Sequence, residues 1–223
     1  LFGALPILRK RGIGRLLIGD EYDTTTRATH HGIRHYSALY DQSRYFDDEM
    51  TRYFQRKGWG TCQFSILRPL SELLVEKVLV ERYPELQRLQ MSCHAAHVDG
   101  RQVVPCGACE KCRRIIGMLT ALKADPRRCG FRPEQIRRTL ETMNGADVHQ
   151  ESGGVRHLLY LLGKAAYGNP EVMKLRFDPQ ASRLEDYPQA LKDRLLGIFL
   201  EHAEGALHRE QGSFREFDAY GES

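Results

Sequence analysis

The chain has 223 residues, 33 Lys and Arg against 29 Asp and Glu, a formal charge of +4, and 41% hydrophobic residues. That length and apolar content suit one large domain, or a domain with an appendage, and exclude a chain disordered throughout. No stretch approaches the roughly 20 apolar residues of a membrane span, and no secretory signal is legible, so a soluble, cytoplasmic protein with no membrane partner is expected.

Phe2 to Lys10 reads as a helix feeding Arg15 to Gly19, an apolar run that suits a buried strand in a parallel sheet. The opening LFGALPILRKRG has the character of the middle of a helix, so a piece of a longer chain is expected. Asp20 to Gln42 is a long polar stretch of the kind that carries function or motion. Ser43 to Lys57 is the clearest helix: Ser43 caps it, Asp47, Asp48 and Glu49 sit early, and Arg56 and Lys57 sit late. Phe46, Met50, Tyr53 and Phe54 fall on one face, and Gly58 supplies the stop.

Gln63 to Leu67 reads as a second strand, and a helix follows from Ser71 to about Arg82. Leu89 to Ser92 reads as a third strand delivering Cys93. Beyond Cys112 the pattern is mainly helical, with one helix bracketed by Pro133 and Asn144–Gly145. Val155 to Ala166 and Leu191 to His208 suggest two more. A shift in composition near Gly130 suggests two domains, 1–130 of α/β type and 131–223 as a helical C-terminal extension.

The densest chemistry is Cys93, Cys106, Cys109 and Cys112, spaced C-x12-C-x2-C-x2-C. Thiolates are soft ligands, and a two-residue gap lets a tight turn aim successive sulfurs at one ion. Gly107 supplies backbone freedom beside a ligand, and Pro105 stiffens the approach. Four thiolates fill a tetrahedral zinc and leave no open position, so zinc as a structural clamp is preferred over an iron–sulfur cluster or free redox thiols. His94 and His97 offer an imidazole in place of one sulfur, a weaker choice with four cysteines at hand. Cys62 and Cys129 read as buried small hydrophobes. Four thiolates and one divalent ion lower the formal charge to about +2.

The cluster, read as SC…PCGACEKCRR ahead of a short helix, resembles the zinc motif of the 7-cyano-7-deazaguanine synthase family of queuosine biosynthesis, within the PP-loop ATP pyrophosphatases. The order of RLLIGDEYD, YDQSRYFDDEMTRYF and FSILRPLSELLVEKVL before the cysteines is similar too, so the resemblance covers about Leu1 to Leu119. It implies a partial Rossmann-like sheet of the adenine nucleotide alpha hydrolase type, with a structural zinc knuckle. It also implies a ligase that adenylates a carboxylate on a deazapurine-type substrate for nitrogen attack.

The family's phosphate loop, SGG-x-DS, belongs before everything quoted. Its one echo, Ser152 to His157, lacks Asp-Ser and follows a polar HQE, so it reads as a helix start. ATP and Mg are therefore expected only for a complete enzyme, and this chain alone is expected to be inactive.

Asp23, at the end of GDEYD, and Asp41 and Arg44, in the region similar to the family's substrate loop, are the candidate contacts to a purine-like small molecule. Asp20 and Glu21 share that loop. His30, His31 and His35 read as ordinary polar residues rather than a second metal site. The rival reading is a non-catalytic zinc module whose arginine pairs at 113–114, 127–128 and 137–138 contact nucleic acid or protein. The weak basic excess does not favour it. A homo-oligomer is compatible with the sequence.

Overall fold

The computed structural model describes residues 2–25, 27–36, 40–145 and 152–220. It is a mixed α/β protein with small sheets. The chain gathers into two compact units, the first of Leu1–Ser71, Leu175–Glu201 and Gly205–Ser223, the second of Glu72–Lys174 and His202–Glu204. Residues after Gly130 thus contribute to both. Among the described residues no helix is long and apolar enough to cross a membrane.

In the first unit, α1 (Leu5–Arg11) closes on Gly12 in the left-handed conformation and leads into β1 (Arg15–Ile18). β1 pairs in parallel with β4 (Cys62–Ser65), Arg15 opposite Cys62 and Ile18 opposite Ser65. Between them lies α2 (Arg44–Arg56), so β1, α2 and β4 form a strand–helix–strand crossover. The expected cap is present: the Ser43 hydroxyl accepts the Phe46 amide at 3.2 Å and donates to the Tyr40 carbonyl at 2.6 Å. The apolar face of α2 buries Met50 and Phe54 against Leu5 and Leu8, with Leu16, Phe46 and Trp59 alongside.

The described residues of the polar stretch 20–42 form more regular structure than their composition suggests. They include a short 3-10 turn, Tyr22–Thr25, and a hairpin of β2 (Arg27–His30) and β3 (Ile33–Tyr36). The hairpin turns on His31 and Gly32, both at positive φ (48° and 79°), the backbone that a two-residue turn between twisted strands requires.

The C-terminal region is not wholly helical. β7 (Leu175–Phe177) lies parallel to β8 (Ala206–Glu210), which pairs antiparallel with β9 (Ser213–Phe217). The helix expected over 191–208 is α7 (Gln189–His202), and its last six residues leave for Gly205 and β8. Gln211 and Gly212, at φ 47° and 87°, turn the β8–β9 hairpin as His31 and Gly32 turn the other.

The second unit packs α3 (Glu72–Arg82), α4 (Glu110–Ala121), α5 (Pro133–Thr142) and α6 (Ser152–Leu161). Its core joins Leu73, Cys112, Ile115, Ile116, Met118, Leu119, Phe131, Met143 and Leu158. The SGG run begins α6, as its polar approach suggests. The third strand expected at Leu89 to Ser92 is absent: Gln87–Leu89 is a 3-10 turn and an irregular segment delivers Cys93. Gln87 decides this. Fully buried, it donates to the Asp125 carbonyl at 3.1 Å, and its own carbonyl accepts the Cys129 thiol. The segment is anchored by side chains rather than by a neighbouring strand.

Candidate metal centre

Three local pieces bring the cysteines together. The irregular segment after Leu89 carries Cys93. The exposed hairpin β5 (His97–Asp99) and β6 (Gln102–Val104) then returns the chain through Pro105 to Cys106. Cys109 stands at the start of α4 in extended conformation, which places Cys112 in the first turn. Cys112 is 1% exposed and belongs to the core, while the other three are partly buried and pack against it.

The four sulfurs all lie within 4.8 Å of one another. Cys109 to Cys112 is 3.5 Å, Cys93 to Cys109 is 3.8 Å and Cys106 to Cys112 is 3.9 Å. Zinc bound at about 2.3 Å from four tetrahedral thiolates sets neighbouring sulfurs about 3.8 Å apart, so these separations suit one shared ion. A four-iron cluster puts each thiolate on a different iron and spreads them further. His94 and His97 lie outside the ligand group found among the described residues.

The surrounding amides complete the site. Cys106 Sγ accepts from the amides of Ala108 at 3.4 Å and Cys109 at 3.3 Å, and Cys93 Sγ from Ala95 and Cys106, both at 3.3 Å. Such bonds stabilise sulfur that has lost its proton. Burial raises the Cys109 thiol, but the amides of Cys112 and His94 and the neighbouring thiols outweigh it and hold the pKa at about 6. Burial pushes Cys112 up, and its sulfur neighbours push the same way. A divalent cation among them reverses that resistance. The donor set therefore fits zinc.

Gly107 is needed twice. Its φ of 69° makes the knuckle, and a Cβ there would collide with the side chain of Gln135. Gln135 is the fastener: its amide donates to the Cys106 carbonyl at 3.1 Å, and its carbonyl accepts the Arg132 amide at 2.8 Å. The knuckle is thereby tied to the start of α5. Nothing in the cysteine spacing pointed to Gln135, 23 positions beyond Cys112.

Two of the three candidate substrate contacts are engaged in separate ion pairs. Asp23 faces Arg176 at 3.5 Å, and Arg44 binds Asp186 at 2.9 Å and Asp48 at 3.5 Å. Asp41 is exposed on the short 3-10 turn Tyr40–Gln42. His30 and His31 meet edge to face, and among the described residues the three loop histidines form no metal-ligating group. Cys129 is buried as expected, and burial raises its thiol to about 11; Cys62 is only partly covered.

A buried polar network at the carboxyl end of the β1–β4 pair escaped the sequence. Arg68, 5% exposed, binds Asp47 at 2.8 Å and Asp20 at 3.5 Å, and donates to Thr24 and the Gln42 carbonyl. Gln63 donates to the other oxygen of Asp47 at 2.7 Å. Burial lifts Asp20 to about 6 despite the Arg68 charge. Beside the network, Arg44, Gln63, Arg68 and Tyr187 help line a cavity of ≈ 250 Å³. Ligands favour this end of parallel strands, but the charged groups of the network, Asp20, Asp47 and Arg68, already have protein partners.

Comparison with known proteins identifies no relative: no family model, no curated protein and no solved structure matches this chain.

Proposed function

We propose that this chain is the zinc-carrying portion of an ATP-dependent enzyme resembling the 7-cyano-7-deazaguanine synthase family. The observation that carries the reading is the four-thiolate cluster, whose order, knuckle glycine and sulfur separations suit a closed zinc site of the kind that the resemblance implies. The strand–helix–strand unit β1–α2–β4 supports it, as one step of a Rossmann-like sheet. In this reading zinc is a clamp and takes no part in chemistry: Cys93, Cys106, Cys109 and Cys112 hold it and fasten the hairpin β5–β6 to the core.

The reaction is adenylation of a carboxylate on a deazapurine-type substrate, followed by nitrogen attack. Asp23 and Asp41, on the loops after β1 and before α2, and Arg44, which opens α2, are the residues offered to that substrate. ATP and Mg bind through a phosphate loop that the SGG run at the start of α6 does not supply, so the chain alone is inactive.

The test has three readings on one preparation. Metal analysis is expected to find one zinc per chain without a visible iron–sulfur band; iron with a band at about 400 nm refutes the zinc clamp. Calorimetric titration with a carboxylated deazapurine is expected to show binding, and none refutes the enzyme reading. Pyrophosphate release from ATP by this chain alone refutes the assignment of ATP to a separate loop.

A further inference from the structure

The hairpin β2–β3 carries chemistry that the metal centre does not use. Its register sets Arg27 opposite Tyr36 and Thr29 opposite Arg34, which places Arg27, Arg34 and Tyr36 on one face. The Arg27 guanidinium lies 5.3 Å from the centre of the Tyr36 ring. Tyr40 and Tyr45, 54% and 47% exposed with ring centres 5.9 Å apart, close a cavity of ≈ 550 Å³ against that face. Among the described residues no carboxylate lines it.

Arg27 and Arg34 also border a second cavity, of ≈ 570 Å³, that includes Tyr22 and Arg209. Among the described residues its one acid is Asp178, occupied by Arg209 at 2.9 Å and by the Gln180 amide at 2.7 Å. Two guanidiniums thus stand between two spaces, and one space is walled by exposed tyrosine rings.

Exposed tyrosines beside unneutralised arginines suit a ligand that has flat aromatic faces and regularly spaced negative charge. A guanidinium grips phosphate through paired donors, and a base stacks on a tyrosine whatever its identity. An acidic peptide would satisfy the arginines but leave the rings exposed. A free nucleotide would fill one cavity and leave the other empty. We infer that the β2–β3 face binds single-stranded nucleic acid, with successive phosphodiesters held by Arg27 and Arg34 and a base stacked on Tyr40 and Tyr45. The site is independent of the adenylating reaction, and either can fail without the other.

The test is fluorescence anisotropy of a labelled oligouridylate of about eight nucleotides with the zinc-loaded chain, long enough to cross both cavities. Binding should weaken steeply with salt, and Tyr40→Ala with Tyr45→Ala should cost about tenfold or more. Tyr40→Phe with Tyr45→Phe keeps the stacking faces and should bind as the parent does. Arg27→Ala with Arg34→Ala should flatten the logarithmic salt slope by about 1.4, two phosphate contacts on a single strand. Circular dichroism checks that each variant keeps its fold. No binding, indifference to the tyrosine pair, loss with Arg137→Ala instead, or uridine monophosphate competing as well as the oligomer would each overturn the assignment.

Discussion

Glu76 offers the sharpest check on the packing of the second unit. It is 4% exposed on α3; one carboxyl oxygen accepts from Gln90 at 2.6 Å and the other has no hydrogen-bond partner among the described residues. Burial pushes its pKa up to about 7 from the ordinary 4.5; the Gln90 bond opposes the rise and Glu72 adds to it. A carboxyl raised in the folded state binds its proton more tightly there than in the unfolded chain. Its contribution is therefore fully present below about pH 4.5 and is lost as pH rises through about 7.

Linkage with those two values puts the penalty of ionising Glu76 at about 1 kcal/mol at about pH 5.5 and about 3 kcal/mol at about pH 8.5. Glu76→Gln keeps the shape and the acceptor for Gln90 and removes the charge. Urea unfolding of both proteins, with zinc saturating, isolates the effect, because the pH dependence of the metal site is common to the pair. The gain in stability of Glu76→Gln should grow by about 2 kcal/mol between the two conditions. A gain independent of pH, or a variant less stable than the parent at the higher pH, refutes the burial argument.

Two further outcomes test local features. Gly107→Ala should weaken zinc binding about 5- to 30-fold in chelator competition, because left-handed backbone costs about 1–2 kcal/mol with a side chain and Gln135 must also move. Unchanged affinity would remove Gly107 from the knuckle. Ser43→Ala should cost about 1–2 kcal/mol by thermal unfolding, since it strips a fully buried cap that bonds both Phe46 and Tyr40. A loss no larger than that at an exposed serine would show that the cap is redundant.

What the sequence by itself determined is what a short spacing encodes. Three cysteines at two-residue intervals with a glycine between them specify a knuckle, because ligands so close can meet at one ion only through a tight turn. Ser43, the early acids and the apolar face likewise specify α2, whose cap and periodicity are local. Even the two X-Gly hairpin turns at positions 31–32 and 211–212 were written locally, but polar surroundings hid the first and an extended helical reading hid the second.

Tertiary structure alone decided the rest. Asp20, Asp47 and Arg68 are far apart along the chain and meet only because β1 and β4 pair in parallel with α2 between them. β7 finds β8 across 28 intervening residues, and no periodicity carries that information. Gln135 reaches the knuckle because α5 packs beside it, and Glu76 is buried because Gln90 returns beneath α3. The tyrosine and arginine face exists only once the β2–β3 register sets Arg27, Arg34 and Tyr36 on one side. Spacing reports which groups can share a turn or a face; only the folded chain reports which distant groups share a site.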